Sequence, residues 1–176
     1  MSMKNCKKCS LCEERSNIVL GSGKKASSIM FIGEAPGANE DKTGIPFCGR
    51  AGKILDELLK SVKIDRDDVY ITNIVKCRPP KNRDPKKEEI EMCSIFLEKE
   101  IKEIKPKVIC PLGRFAAKFI LEKYNLEVGE IGDVHGKVFK SKNIIIIPLY
   151  HPAVAIYSPS KIEILKKDFK KICTKK

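Results

Sequence analysis

Four short runs, residues 29–32, 69–75, 108–112 and 144–149, are rich in β-branched and aliphatic side chains and almost continuously apolar. A strand with one wet face alternates polar and apolar residues; runs without that alternation belong to strands buried on both faces. Helical patterns lie between them. Ile54, Leu55, Leu58, Leu59 and Val62 mark one apolar stripe, and Ile90, Cys93, Leu97, Ile101 and Ile104 recur at helical spacing after a start at Asp84-Pro85. Residues 113–124 read as a third helix, and Ser160 with Glu163 forms a capping box before a fourth. Strands alternating with helices predict an α/β fold: a three-layer sandwich with a central, mostly parallel four-stranded sheet flanked by helices. Residues 125–142 are polar and irregular, with a short hairpin expected around Gly136. No repeat or linker interrupts the 176 residues, so a single domain over 1–176 is expected.

In open α/β sheets, ligands bind beyond the carboxyl ends of the strands. The first run opens into GEAPGANED (residues 33–41) and GIPF (44–47), a Gly/Pro-rich loop carrying Glu34, Glu40, Asp41 and the Phe47 ring. The second ends in TNIVKCRPPKNR (72–83). Asn73 there offers an acceptor and two donors suited to a base edge, or else makes the side-chain-to-backbone bond common for Asn at turns. Lys76, Arg78, Lys81 and Arg83 around the Pro pair form a stiff cationic loop, for phosphates or simply for solvent. The fourth run ends in PLYHPA (148–153), where Pro152 forces His151 into an extended conformation. The other histidine, His135, lies in the irregular segment.

The formal net charge of +12 attracts polyanions, nucleic acid first among them, although a Lys-, Glu- and Ile-rich composition also suits a thermophile surface. Aromatic residues make up 6% and Trp is absent, which argues against a wide stacking platform for single strands. No apolar stretch is long enough to span a bilayer and the first residues lack a signal-peptide centre, so a cytoplasmic protein with no membrane partner is expected. Eight cysteines in such a compartment point to metal or redox chemistry rather than disulfides. Cys6 and Cys9 form a CxxC, and Cys77 with Cys93 would complete four thiolates, though Cys93 also falls on an apolar stripe. Ligand type leaves zinc and [4Fe–4S] equally open. Cys12, Cys48, Cys110 and Cys173 need bind nothing, and Cys110 reads as core.

Together these segments resemble the family 4 uracil-DNA glycosylases, the thermostable, iron–sulfur members of the uracil-DNA glycosylase superfamily. The resemblance covers nearly the whole chain, through Cys6-x-x-Cys9-Ser10-Leu11-x-x-x-Arg15, GEAPGANEDKTGIPFCGRAG (33–52), YITNIVKCRPPKNRDP (70–85) and the HPA that opens at His151. It implies a [4Fe–4S] cluster on Cys6, Cys9, Cys77 and Cys93, with Cys12 outside the ligand set. It implies excision of uracil from single- or double-stranded DNA by a monomeric hydrolase of base excision repair. The extruded uracil would stack on Phe47, present O4 and N3–H to Asn73, and receive donors at O2 from His151 and from the backbone of Glu34 and Ala35. In family 1 relatives the corresponding loop reads GQDPY and its Asp activates water; Ala35 stands in that slot here. Glu40 is then the first choice for water activation, ahead of Glu34 and Asp41. Gly37 replaces the Tyr that excludes the thymine methyl, a task that falls to Glu40 as well. Relatives carry a bulky aliphatic wedge four positions after the His; here that place is Ala155, flanked by Val154 and Ile156. With Arg78, Lys81 and Arg83 these residues form the expected DNA-facing set. His135-Gly136 replaces an Arg-Gly of relatives, altering a phosphate contact. Two rivals share parts of this pattern: a non-enzymatic nucleic-acid-binding protein with a structural metal, and a glycosylase for hypoxanthine or xanthine.

Overall fold

The computed structural model describes residues 3–173. A two-residue strand β1 (Ser22–Gly23) precedes β2 (Ile29–Gly33), helices α1 (Ala38–Thr43) and α2 (Arg50–Ser61), and strand β3 (Tyr70–Asn73). There follow α3 (Lys87–Ile104), β4 (Val108–Pro111), α4 (Arg114–Lys123) and a single turn α5 (Ile131–Val134). Strands β5 (Phe139–Ser141) and β6 (Ile144–Ile146), then α6 (Val154–Tyr157) and α7 (Lys161–Cys173), complete the chain.

The strand order is β1-β3-β2-β4-β6-β5. The four apolar runs supply the four parallel strands, β3, β2, β4 and β6. The sheet has six strands rather than the expected four, because an antiparallel strand is added at each edge. Neither edge had a legible pattern: β1 is Ser-Gly, and β5 is Phe-Lys-Ser within the polar segment. The hairpin turns at Lys142 (φ 51°), not at Gly136, whose N–H instead donates to Pro148 O at 2.7 Å. Helix α3 begins at Lys87 rather than at Asp84-Pro85, and Glu89 reaches back to the Lys86 N–H at 2.7 Å.

Alternate residues of each central strand face opposite layers. Met30, Ile32 and Ile109 meet Leu97 and Ile101 of α3 and Ile120 of α4. Ile29, Phe31 and Cys110 meet Leu55 and Leu58 of α2 and Leu165 and Phe169 of α7, where Phe31 stacks on Phe169 at 5.7 Å. This is the expected three-layer sandwich, with Cys110 inside it. Among the described residues no helix is long and apolar enough to cross a membrane.

Candidate active site and cysteine centre

The parallel strands deliver their loops to one end of the sheet. At the last residue of β2, a Cβ on Gly33 would lie 2.3 Å from Asn73 Oδ1 and 2.7 Å from the Phe47 ring, so only glycine lets these side chains close over the strand. Phe47 adopts φ 52°, a conformation that costs energy for a bulky residue and recurs at functional sites. Arg66, a residue with no motif to reveal it in the sequence, holds this turn: Nη2 donates to Pro46 O (2.9 Å) and Phe47 O (3.2 Å), while Nη1 pairs with Asp56 at 2.6 Å. A Cβ on Gly52 would fall 1.8 Å from Phe47 O, which accounts for the second glycine.

Asn73 ends β3 with its side chain buried, and Oδ1 has no hydrogen-bond partner among the described residues. His151 follows the last parallel run; its ring centroid lies 5.6 Å from that of Phe47, at 29° to it. Its Nδ1 accepts from Ala153 N–H at 3.2 Å, which leaves the proton on Nε2. Burial pulls its pKa down to about 4, against the opposing pull of Glu40, so the ring is neutral at pH 7. Phe47, Asn73, His151, Glu34, Ala35 and Glu40 line a single cavity of ≈ 380 Å³, within the range of small-ligand sites.

The three carboxylates differ sharply. Glu40 accepts from Gly49 N–H on Oε1 (2.9 Å) and from Gly37 N–H on Oε2 (3.1 Å), bracing the loop. Asp41 is buried and receives the N–H groups of Ser16 and Asn17, which excludes it from the cavity's chemistry. Glu34 lines the cavity, and burial, reinforced by Asp84 and opposed by Arg114, lifts its pKa to about 7.

The cationic loop divides in a way the sequence did not reveal. Lys76 is not solvated: it is buried, on Thr72, Asn73 and Glu100. Arg83 lines the cavity but grips Glu89 with its two terminal guanidinium nitrogens (2.6 and 2.9 Å), holding that carboxyl down to about 2. Lys81 is exposed at a left-handed tip (φ 53°), and half-buried Arg78 donates to Asn82 Oδ1 at 2.8 Å. Ala155 is buried in the core, only 8% exposed, and cannot enter a duplex; Val154 and Ile156 are half-buried. The side chain that does project from α6 is Tyr157, 85% exposed. His135 pairs with buried Asp168 at 2.6 Å and packs on Tyr150 at 4.3 Å.

On the α3 side, Cys6, Cys9, Cys77 and Cys93 line one small cavity, with Cys12 also on its wall. Arg15 Nη1 donates to Cys77 Sγ (3.2 Å), its Nη2 to Cys6 O (2.7 Å), and Lys76 N–H to Cys93 Sγ (3.3 Å). Burial pushes the Cys93 thiol up to about 11 and raises Cys9 and Cys77 too, so thiolates here call for a cationic partner. Among the described residues, no group of three His, Cys, Asp or Glu side chains is arranged to hold one metal ion.

The family model described as the uracil DNA glycosylase superfamily matches residues 20–175. A type-4 uracil-DNA glycosylase of Sulfurisphaera tokodaii is 50% identical over 173 residues, covering 96% of this chain and 79% of the relative. One of Archaeoglobus fulgidus is 48% identical over 179 residues (98% and 90%), and one of Thermotoga maritima 42% over 158 (90% and 81%).

Proposed function

The chain belongs to the uracil-DNA glycosylase superfamily as a type-4 member, an enzyme that hydrolyses the N-glycosidic bond of uracil in DNA, and we propose that it does so in the cavity shared by Phe47, Asn73 and His151. The observation that carries this reading is the orphaned Asn73 Oδ1. A buried acceptor without a donor costs about 1–3 kcal/mol. Uracil N3–H is a donor of the right polarity, and the carboxamide N–H₂ can then reach O4. Cytosine reverses both polarities on that edge and leaves the pair mismatched.

A base inside a duplex cannot enter such a cavity, so the nucleotide is extruded and its face laid on Phe47. Departure of the base passes through an oxocarbenium-like sugar, as in other glycoside hydrolyses, and negative charge builds on uracil. Neutral His151 meets that charge at O2 with Nε2–H, together with the backbone of the Glu34-Ala35 turn. Water activation falls to Glu34 rather than Glu40: a carboxylate near pKa 7 is poised as a base, whereas both oxygens of Glu40 already hold backbone N–H groups. Glu40 Oε2 lies 2.7 Å from where a Gly37 Cβ would stand, which supports its use as the bulk that excludes a 5-methyl group. Tyr157 takes the wedge role from Ala155, and Arg78 and Lys81 meet phosphates.

Cys6, Cys9, Cys77 and Cys93 would hold a [4Fe–4S] cluster. Four cysteine sulfurs lining one shared cavity supply the four thiolates that such a cluster takes, and the type-4 relatives support the iron–sulfur reading over zinc. When bound, it supplies a cross-link between the N-terminal segment, the Cys77 loop and α3. The same reading has the enzyme act as a monomer in the cytoplasm, where thiols stay reduced. The test is incubation with single- and double-stranded oligonucleotides carrying uracil, hypoxanthine, xanthine, thymine or cytosine, followed by alkaline cleavage of abasic sites. Breakage at uracil is expected; none at uracil would sink the assignment, and a preference for hypoxanthine or xanthine would reassign the substrate.

A further inference from the structure

Lys76 has a side chain only 1% exposed, the most buried cation of the ion pairs in the fold. Its three ammonium hydrogens meet three acceptors: Thr72 Oγ1 (2.6 Å), Glu100 Oε2 (2.6 Å) and the main-chain oxygen of Asn73 (2.7 Å). The network is closed beyond it. Thr72 passes its own hydrogen to Glu100 Oε2 (2.9 Å), and Glu100 Oε1 accepts from Gly21 N–H (3.3 Å) and the Tyr70 hydroxyl (3.4 Å). Buried ion pairs rarely add stability over a packed apolar pair, so such a network calls for a positional reason.

The position is informative. The Asn73 carbonyl is held from below by Lys76, and the following N–H, that of Ile74, donates to Gly33 O at 2.9 Å. Both sides of that peptide are therefore fixed, and with them the direction in which Asn73 points its carboxamide over Gly33. The main chain of Lys76 meanwhile donates to Cys93 Sγ, and Cys77 is the next residue. One residue thus touches the cysteine centre with its backbone and the base-reading residue with its side chain.

We propose that Lys76 is the positioning residue for Asn73, and that through it the integrity of the four-cysteine centre sets the alignment of the base-recognition carboxamide. This rests on the reading of Asn73 as the group that recognises the uracil edge. Lys76→Met alone would strand the Glu100 charge, so the variant is the pair Lys76→Met/Glu100→Gln, which removes both charges and keeps their volume. In the iron-loaded protein the pair is expected to keep its melting transition, its visible absorbance per chain and its affinity for uracil-free duplex. Single-turnover uracil excision is expected to fall about 100-fold, the scale of a misplaced reacting or recognition group.

Added to Asn73→Ala, the pair should cause no further loss, since both act through one group. The Asn73 side-chain amide resonance should shift or broaden in the pair variant and, likewise, in wild-type protein stripped of iron. Should the pair fail to fold, Thr72→Val removes one anchor and leaves both charges in place; the same non-additivity and the same shift are expected on a smaller scale. Losses that multiply with Asn73→Ala, or an Asn73 amide signal unmoved by the substitutions or by iron removal, would overturn the proposal. Undiminished excision by Asn73→Ala would instead sink the reading of Asn73 itself.

Discussion

Glu34 lies in the loop after β2 and Glu40 six residues on in α1, and their surroundings differ. Glu40 is braced by two N–H groups, while half-buried Glu34, near Asp84, has its pKa raised to about 7. A base must be deprotonated to accept a proton, so single-turnover excision should rise with pH through about 7 and level above it. His151 is neutral above about 4 and adds no second limb between pH 5 and 9. Glu34→Gln should flatten the rise and slow excision by about 100-fold or more; an unchanged profile would return the base to Glu40. At Asn73, replacement by Asp should weaken uracil excision and admit some cytosine removal, because the edge now presents acceptors alone. Excision of uracil equal to that of the parent would count against the assigned role. Asn73 and His151 were legible in the sequence as polar side chains at strand ends, and Phe47 as the ring of the Gly/Pro-rich segment that follows β2, in the turn between α1 and α2. Lys76 was not, because a lysine among prolines and arginines carries no mark of burial; Ala155 was misplaced because helix phase in a four-residue turn cannot be read without its packing.

The four buried strands were readable as elements because unbroken apolarity is itself a signal, whereas the edge strands and the Lys142 turn depend on partners that the local sequence does not show. The same holds for the loop between α2 and β3, whose ordinary-looking Arg66 keeps Phe47 in its left-handed turn. Arg66→Ala leaves two carbonyls without their donor and Asp56 without its cation. The Phe47 ring should then wander, raising KM for a uracil-containing oligonucleotide about tenfold while kcat changes less, with Lys restoring only part because it lacks the forked donors. Equal KM values for Arg66→Ala and the parent would show that Phe47 needs no such brace. Helix α6 gives a separate test. If Tyr157 fills the gap in the duplex, Tyr157→Ala should cut excision from double strands by about tenfold and spare single strands, in which no stack must be broken. Equal losses on both substrates would place the wedge elsewhere.

Viewed across the whole molecule, the sheet organises one end and the cysteine centre ties a further segment to it. Residues before β1 contribute little to the sheet; their attachments include Cys6 and Cys9 at the shared cavity, Arg15 on Cys77, Ser10 on Glu89 at 3.2 Å, Ser16 and Asn17 on Asp41, Val19 N–H on Lys76 O at 2.8 Å, and Gly21 N–H on Glu100. Glu89 in turn holds Arg83 beside the cavity lined by Phe47, Asn73 and His151, so the N-terminal segment, α3 and the cationic loop brace one another. A centre that joins segments far apart in sequence stabilises by limiting the unfolded chain, as other cross-links do. With the proposed cluster on Cys6, Cys9, Cys77 and Cys93, anaerobic removal of its iron should therefore lower the melting temperature by several degrees, a change on the order of 1–3 kcal/mol for a domain of this size. It should also open the segment before β1 to proteolysis while β2, β3 and β4 stay protected. Cys77→Ala should reproduce both effects without a chelator. The net charge of +12 stays in place through either treatment, so binding to uracil-free DNA should keep its salt dependence even as excision declines. If iron removal instead abolished DNA binding at low salt and left the melting transition unmoved, the centre would be a contact for DNA rather than a brace for the loop that reads it.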